Sequence, residues 1–215
     1  MGSEMCIRDS YYSVQGEGTK AGLPCVFVRL TFCNLRCTFC DTEYAFFEGK
    51  DLSIGDIIQE IRTYSCPLVE ITGGEPLFQA ESHILMKQLA DDGFEVLLET
   101  GGSLPINNID QRVKIIMDLK TPSSGMLKKN LYENINFLKK EDEVKFVIGS
   151  REDYLWSKQM IEKYALDKKT AILFSTVFGK LLPVELVNWI LVDKLNVRFQ
   201  LQLHKFIWKP EQRGV

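Results

Sequence analysis

The chain has 215 residues, 45% hydrophobic and 26% charged, with a formal net charge of −3. That length supports one domain with a sizeable core or two small ones, and the apolar fraction excludes intrinsic disorder. No apolar run approaches the roughly 20 residues that cross a bilayer, and mild acidity with two histidines disfavours a general nucleic-acid binder. Met1 to Ser13 is polar and lacks the apolar stretch of a secretory leader. A cytoplasmic protein that contacts neither membrane nor nucleic acid is the expectation.

In chain order, Met5 to Ser10 (MCIRDS) fits no strand pattern and reads like translated adaptor sequence, so residues 1–10 are set apart as a candidate non-native leader. Pro24 to Leu30 reads as a buried strand running into Cys33, Cys37 and Cys40. Ser53 with Asp56 three residues on resembles a capping box, followed by Ile54, Ile57, Ile58 and Ile61 on one helical face. Leu68 to Thr72 then leads into Gly73-Gly74-Glu75-Pro76, and a short helix carries Ile84, Leu85 and Leu89. Phe94 to Glu99 ends at Thr100-Gly101-Gly102, and Val113 to Leu119 ends at Lys120 to Gly125. Leu127, Leu131, Ile135 and Leu138 form a second helical stripe. After a strand at Glu143 to Ile148, Tyr154, Leu155, Ile161 and Ala165 suggest a third helix. Thr170 to Phe174 reads as a strand, and Pro183 opens a helix whose inner face holds Leu186, Val187, Ile190 and Leu191. Val197 to Leu203 is the last strand, with His204 at its end.

Repeated strand–helix alternation implies right-handed parallel crossovers and an α/β fold. About six βα units are too few for a closed eight-stranded barrel, so an open, partial parallel β/α barrel is expected. No linker, repeat or low-complexity tract divides residues 1–215, which are read as one domain. In such a fold the chemistry gathers at the C-terminal strand ends, where the cysteines, GGEP, ETGG, KTPSSG and STVFG all fall.

The chain has six cysteines, three of them within eight residues. A secreted disulfide scaffold would be shorter and denser in cysteine. Structural zinc takes four ligands, for which Cys66 or His204 would have to complete the set. Three thiolates can instead hold three irons of a cubane cluster and leave the fourth open. The spacing Cys33-x₃-Cys37-x₂-Cys40 favours the cluster over zinc, and zinc over a chance grouping. Cys6, Cys25 and Cys66 are read as small buried or free thiols.

CNLRCTFC, with Phe39 before the last cysteine, and GGEP after the next strand resemble the radical S-adenosylmethionine (SAM) superfamily. The flanks narrow the likeness. Tyr12-Ser13-Val14-Gln15-Gly16-Glu17-Gly18, Pro24 with Phe27-Val28-Arg29, Cys40-Asp41-Thr42, and Gln202-Leu203-His204-Lys205 with Trp208 resemble the 7-carboxy-7-deazaguanine synthase family. The likeness runs from Tyr12 to Val215. It implies conversion of 6-carboxy-5,6,7,8-tetrahydropterin to 7-carboxy-7-deazaguanine with loss of ammonia, SAM serving as a regenerated cofactor. It also implies a [4Fe–4S] cluster on Cys33, Cys37 and Cys40, and Mg²⁺ at Thr42. SAM would meet Phe39, Cys40, Asp41, Gly74, Glu75, Gly102, Lys120, Ser175, Thr176, Val177 and Phe178. The pterin would meet Val14, Gln15, Gly16, Glu17, Arg29, Thr100, His204 and Val215. A flavodoxin or ferredoxin-type electron donor and a homodimer complete what the resemblance implies.

Taken singly these residues are ordinary. Two glycine pairs are usually turns, and Arg29, Lys120 or His204 alone would be a surface or core residue. Only their joint position at strand ends lifts the functional reading. Phe32 stands where the family has glycine, Phe39 where tryptophan is commoner, Gly101 where an asparagine is usual, and Thr176 where proline is frequent. A glycyl-radical activase and a non-enzymatic iron–sulfur or zinc module are the rival readings. The former needs an open groove for a protein backbone, and the latter predicts no SAM cleavage.

Overall fold

A computed structural model describes residues 4–210 and 212–215. Its first strand corrects the expectation for the N-terminal segment: β1 runs Glu4–Val14 through MCIRDS. The reason is alternation, since Met5 and Ile7 both turn into the core. A register shift between Ile7 and Asp9 interrupts the pairing with β2 (Pro24–Leu30) and hides the period in the sequence. Residues 1–3 of the segment set apart lie outside the described residues.

β1 pairs antiparallel with β2 and with β3 (Lys50–Ser53). The remaining strands, β4 (Leu68–Gly73), β5 (Glu95–Thr100), β6 (Lys114–Asp118), β7 (Glu143–Ile148), β8 (Ala171–Thr176) and β9 (Arg198–Phe199), follow β2 in parallel. The order β3-β1-β2-β4-β5-β6-β7-β8-β9 is that of an open, mostly parallel barrel wall. No helix among the described residues is long and apolar enough to cross a membrane.

Four helices cover the outer face. In α1 (Ile54–Thr63) the Ser53 Oγ accepts the Asp56 N–H at 3.1 Å, and all four expected isoleucines are buried. α2 (Glu81–Asp91) buries Leu85 and Leu89, but Met86 takes the place expected for Ile84, which is exposed. α3 (Arg151–Tyr164) turns Tyr154 and Ile161 inward and leaves Leu155 exposed. α4 (Pro183–Asp193) packs Leu186 and Ile190 on the sheet, while Leu191, expected inside, faces out.

The stripe at Leu127 to Leu138 is not an α-helix. It forms two 3₁₀ turns, Leu127–Lys129 and Tyr132–Asn136. Two asparagines divert it. Asn130 clasps both backbone groups of Lys120 at 2.9 Å, and Asn134 donates to the Leu104 carbonyl at 2.8 Å and accepts from the Ile106 N–H at 3.2 Å. The last strand is also shorter than expected. After Phe199 the chain leaves the ladder, and the Leu203 N–H donates to the Gly16 carbonyl at 3.0 Å. His204 thus opens a one-turn helix, α5 (His204–Ile207), instead of ending a strand.

The end of β4 is stitched to the segment that follows β2. Gly74 N–H donates to the Leu30 carbonyl (3.1 Å) and Glu75 N–H to the Phe32 carbonyl (2.8 Å). A Cβ on Gly74 would lie 1.9 Å from the Phe32 oxygen, so only glycine admits this approach. Phe32 itself sits at φ +65°, the left-handed region, with its ring half exposed. That conformation costs a non-glycine residue about 1–2 kcal/mol, of which glycine's extra chain freedom gives back about 0.5–1. Phe32→Gly is therefore expected to raise the melting temperature by about 1–4 °C, while Phe32→Ala does not. A lower melting temperature for the glycine variant would show that the ring contributes more than the backbone loses.

Candidate active site

The three clustered cysteines lie on the loop after β2, and all three line one cavity of about 630 Å³. The loop is held from both sides. Thr38 donates through its N–H to the Ser124 carbonyl (3.0 Å) and through Oγ1 to the Ser123 carbonyl (2.6 Å), binding it to the turn after β6. Leu35 is buried beneath it. Burial raises all three thiols above their ordinary pKa, Cys40 to about 11, while the nearby Lys120 pulls Cys33 and Cys37 the other way. Metal binding must displace protons here, and Lys120 is placed to favour that.

Among the described residues no three His, Cys, Asp or Glu side chains converge on one ion. A four-ligand zinc site fails on Cys66 as well, because its thiol points at the Pro24 and Leu68 carbonyls at the opposite end of β4. A cluster asks for less convergence, since each thiolate meets its own iron. Three half-buried free thiols on one wall of a polar cavity fit that group.

The opposite part of the cavity is charged. Lys145, near the middle of β7, ion-pairs with Glu17 at 3.1 Å and with Glu99 of β5, and its side chain is 6% exposed. Thr72 Oγ1 donates to the same Glu99 at 3.1 Å. Burial alone would raise Glu99, but the Lys145 ammonium holds it below the ordinary carboxylate range. The two carboxylates in turn hold Lys145 well above the ordinary lysine range, against the effect of burial. Glu70 has a different environment. It is fully buried, its hydrogen-bond donor is the neutral Gln15 amide, and burial with the nearby Glu99 charge pushes its pKa far up. Its proton is therefore held more tightly than that of an ordinary glutamic acid.

The Gln15–Gly18 loop crosses this end. Gln15 Oε1 accepts the Glu17 N–H (2.5 Å), and Glu17 Oε1 accepts from Gln202 Nε2 (3.1 Å). A Cβ on Gly16 would lie 2.9 Å from His204 Nδ1. The two terminal motifs therefore pack against each other across the open side of the barrel. Arg29 lies between the Tyr11 and Tyr44 rings (4.9 and 5.1 Å), donates to the Tyr11 hydroxyl at 2.5 Å and pairs with Asp9 at 3.2 Å. Lys120 pairs with Asp118 at 2.8 Å, Lys205 with Asp41 at 2.6 Å, and Thr42 Oγ1 donates to Asp41 at 2.9 Å. Val215 lines the cavity, and Arg213 stacks on Tyr44 at 4.2 Å.

Most of the expected site residues thus line one cavity. Four stand behind it. Glu75 is fully buried, accepting from the Thr100 hydroxyl (2.8 Å) and the Gly101 N–H (2.8 Å), so it ties the GGEP turn to the ETGG turn. Gly102, at φ +68°, is pressed against Met117. Ser175 and Thr176 are buried within β8, and the Ser175 hydroxyl has no partner among the described residues. The residues that sequence reasoning missed are Glu70, Glu99, Lys145, Tyr11 and Tyr44. A signal existed for three of them: a charge inside LVEIT, FEVLLE and EVKFVI is out of place in a parallel sheet covered on both faces.

Residues 27–165 match the model of the Radical SAM superfamily. The 7-carboxy-7-deazaguanine synthase of Chlorobaculum tepidum is 45% identical over 212 residues, covering 97% of this chain and 96% of its own. That of Koribacter versatilis is 42% identical over 226 residues, covering 98% and 100%. The chain belongs to the 7-carboxy-7-deazaguanine synthase family. Its fold agrees with the crystal structure of QueE from Escherichia coli, with a TM-score of 0.75 at 20% identity over 92% of this chain and 94% of that one. The sheet's internal charges Glu70, Glu99 and Lys145 line the same cavity as the three cysteines.

The raised pKa of Glu70 has a consequence for stability. Unfolded, it ionises near pH 4.3, whereas in the fold its pKa is raised, so above that pH the unfolded chain binds fewer protons and this group's contribution falls as pH rises above about 4. Glu70→Gln removes that slope. The stability of Glu70→Gln relative to wild type, measured by denaturant unfolding from pH 4 to 7, is expected to rise steadily; a constant difference would mean that Glu70 is ionised in the fold.

Proposed function

We propose that the protein is a radical SAM lyase that converts 6-carboxy-5,6,7,8-tetrahydropterin to 7-carboxy-7-deazaguanine and ammonia, in the synthesis of 7-deazapurines such as queuosine. The net change is redox-neutral: the ring loses one nitrogen as ammonia and contracts, and SAM is regenerated. The observation that carries this reading is one cavity with the cysteine thiols on one wall and the Gln15–Glu17, His204 and Lys145 group on another. Held by Cys33, Cys37 and Cys40, a [4Fe–4S] cluster with SAM supplies the hydrogen-abstracting radical that no side chain provides.

The chain's own residues bind, orient and exclude water. Arg29, fixed between two rings and by Asp9, offers its guanidinium fork to the pterin carboxylate. Gln15, Glu17, Thr100 and His204 meet the pyrimidine side, and the tail to Val215 covers it. Phe39, Asp41, Gly74, Lys120, Val177 and Phe178 face SAM. Thr42, a half-buried hydroxyl on the wall, would give Mg²⁺ one oxygen, with substrate and water oxygens supplying the rest. The family likeness supports a flavodoxin or ferredoxin-type donor and a homodimer, and an oxygen-sensitive cluster suits a cytoplasmic setting.

The test is anaerobic reconstitution with iron and sulfide, reduction, and incubation with SAM and 6-carboxytetrahydropterin. Deazaguanine and ammonia are expected one to one, with SAM recovered. Cys37→Ala is expected to lose both the bound iron and the turnover. SAM cleavage to 5′-deoxyadenosine without deazaguanine would point to a different radical SAM substrate, and no cleavage at all to an electron-transfer or metal module.

A further inference from the structure

Beneath the cavity, and outside its wall, lies a buried ionic group with no role in the account above. Glu143 opens β7, two residues before Lys145, and is 1% exposed. The two side chains therefore point the same way from the strand. The Glu143 carboxylate pairs with Lys114 Nζ of β6 at 2.5 Å and accepts the Thr19 N–H at 3.1 Å and the Thr19 hydroxyl. Lys114 also donates to that hydroxyl at 2.5 Å. A Cβ on Gly18, at φ +77°, would lie 2.7 Å from Glu143 Oε2. Gly18 N–H donates to Gln200 Oε1 at 2.6 Å. The second glycine of the QGEG motif is thus required by its conformation and by the carboxylate beneath it.

The loop is held at three heights. Gln15 is tied to Glu70 of β4, Glu17 to Lys145 of β7, and Thr19 to Glu143 at the base of the same strand. The first two contacts lie on the cavity wall, where a ligand competes for them. The third does not, because none of Thr19, Lys114 and Glu143 lines the cavity. It is the one of the three contacts that lies out of reach of a ligand in the cavity.

We propose that Glu143 is a positioning residue: by clamping Thr19 from below it holds Gln15 and Glu17 where the pterin meets them. The proposal rests on the functional reading above for the identity of the pterin, but the clamp itself is made by the chain's own residues. A misplacement of about 1 Å in such a loop suffices for a 10- to 100-fold loss.

The experiment compares wild type with Thr19→Val, Thr19→Ser and Glu143→Gln in steady-state turnover and in fluorescence titration with 6-carboxypterin. Thr19→Val and Glu143→Gln are expected to raise KM and the 6-carboxypterin Kd together by roughly tenfold, with kcat changed less than about twofold. Bound iron in Thr19→Val should stay at the wild-type value, while its melting temperature falls by a few degrees because Glu143 and Lys114 lose the hydroxyl. Thr19→Ser, which keeps the hydroxyl, is expected to restore wild-type affinity. Wild-type KM and Kd in Thr19→Val overturn the proposal, as does a fall in kcat and iron content with KM unmoved. If Glu143→Gln does not fold, the Thr19 pair decides alone. A wild type that binds 6-carboxypterin but makes no deazaguanine overturns the functional reading and leaves the clamp to be judged on Kd.

Discussion

Lys145 is the charge about which the interior of this barrel is arranged. Its ammonium sits between Glu17, from the loop after β1, and Glu99, from β5, so one ion links a loop to the middle of the sheet. Removing one partner of a buried pair leaves the other unpaired, at a typical cost of about 3–5 kcal/mol. Replacing the whole group by apolar side chains is often neutral or stabilising. Stability alone therefore gives no reason for charge in this sheet, and a polar ligand does. Glu70, buried beside the group with its pKa raised, lines the same cavity and accepts from Gln15.

The open barrel imposes the second constraint. Strand order places β3 and β9 at opposite edges, and the sheet does not close through its own ladder. The gap is bridged instead by side-chain and turn contacts, Leu203 to Gly16, Gln202 to Glu17 and Gln200 to Gly18. The motifs at the two ends of the sequence are thereby one structural unit. At the other side, Gly73 and Gly74 let the end of β4 approach the Leu30 and Phe32 backbone closely enough to fix the cysteine loop. The cavity is the space between these two closures.

The parallel strands were legible because their apolar runs end in glycine-rich turns, and Pro24–Leu30 and Glu143–Ile148 agree residue for residue. β1 was not, because its register shift falls inside MCIRDS and breaks the alternation that a reader would follow. The stripe from Leu127 to Leu138 has helical spacing, yet Asn130 and Asn134 bond to distant backbone groups that no local pattern reveals. The candidate cluster ligands Cys33, Cys37 and Cys40 stand out by their spacing, since all three come from one short loop. Glu75 shows the limit of a motif: GGEP marked the right turn, but the carboxylate is turned away from the cavity to accept from Thr100 and Gly101. The Lys145 group needed three strands in register, and only the misfit of each charge within its own run hinted at it.

The most direct test of the central claim, that this charged interior receives the pterin, is a crystal structure of the anaerobically reconstituted protein with SAM and 6-carboxytetrahydropterin. The pterin is expected in the barrel interior, its carboxylate on Arg29 and its ring beside Glu17 and Lys145, with the Thr19–Glu143 contact intact. A pterin bound outside the cavity, or inside it with Arg29 unengaged, would contradict the account.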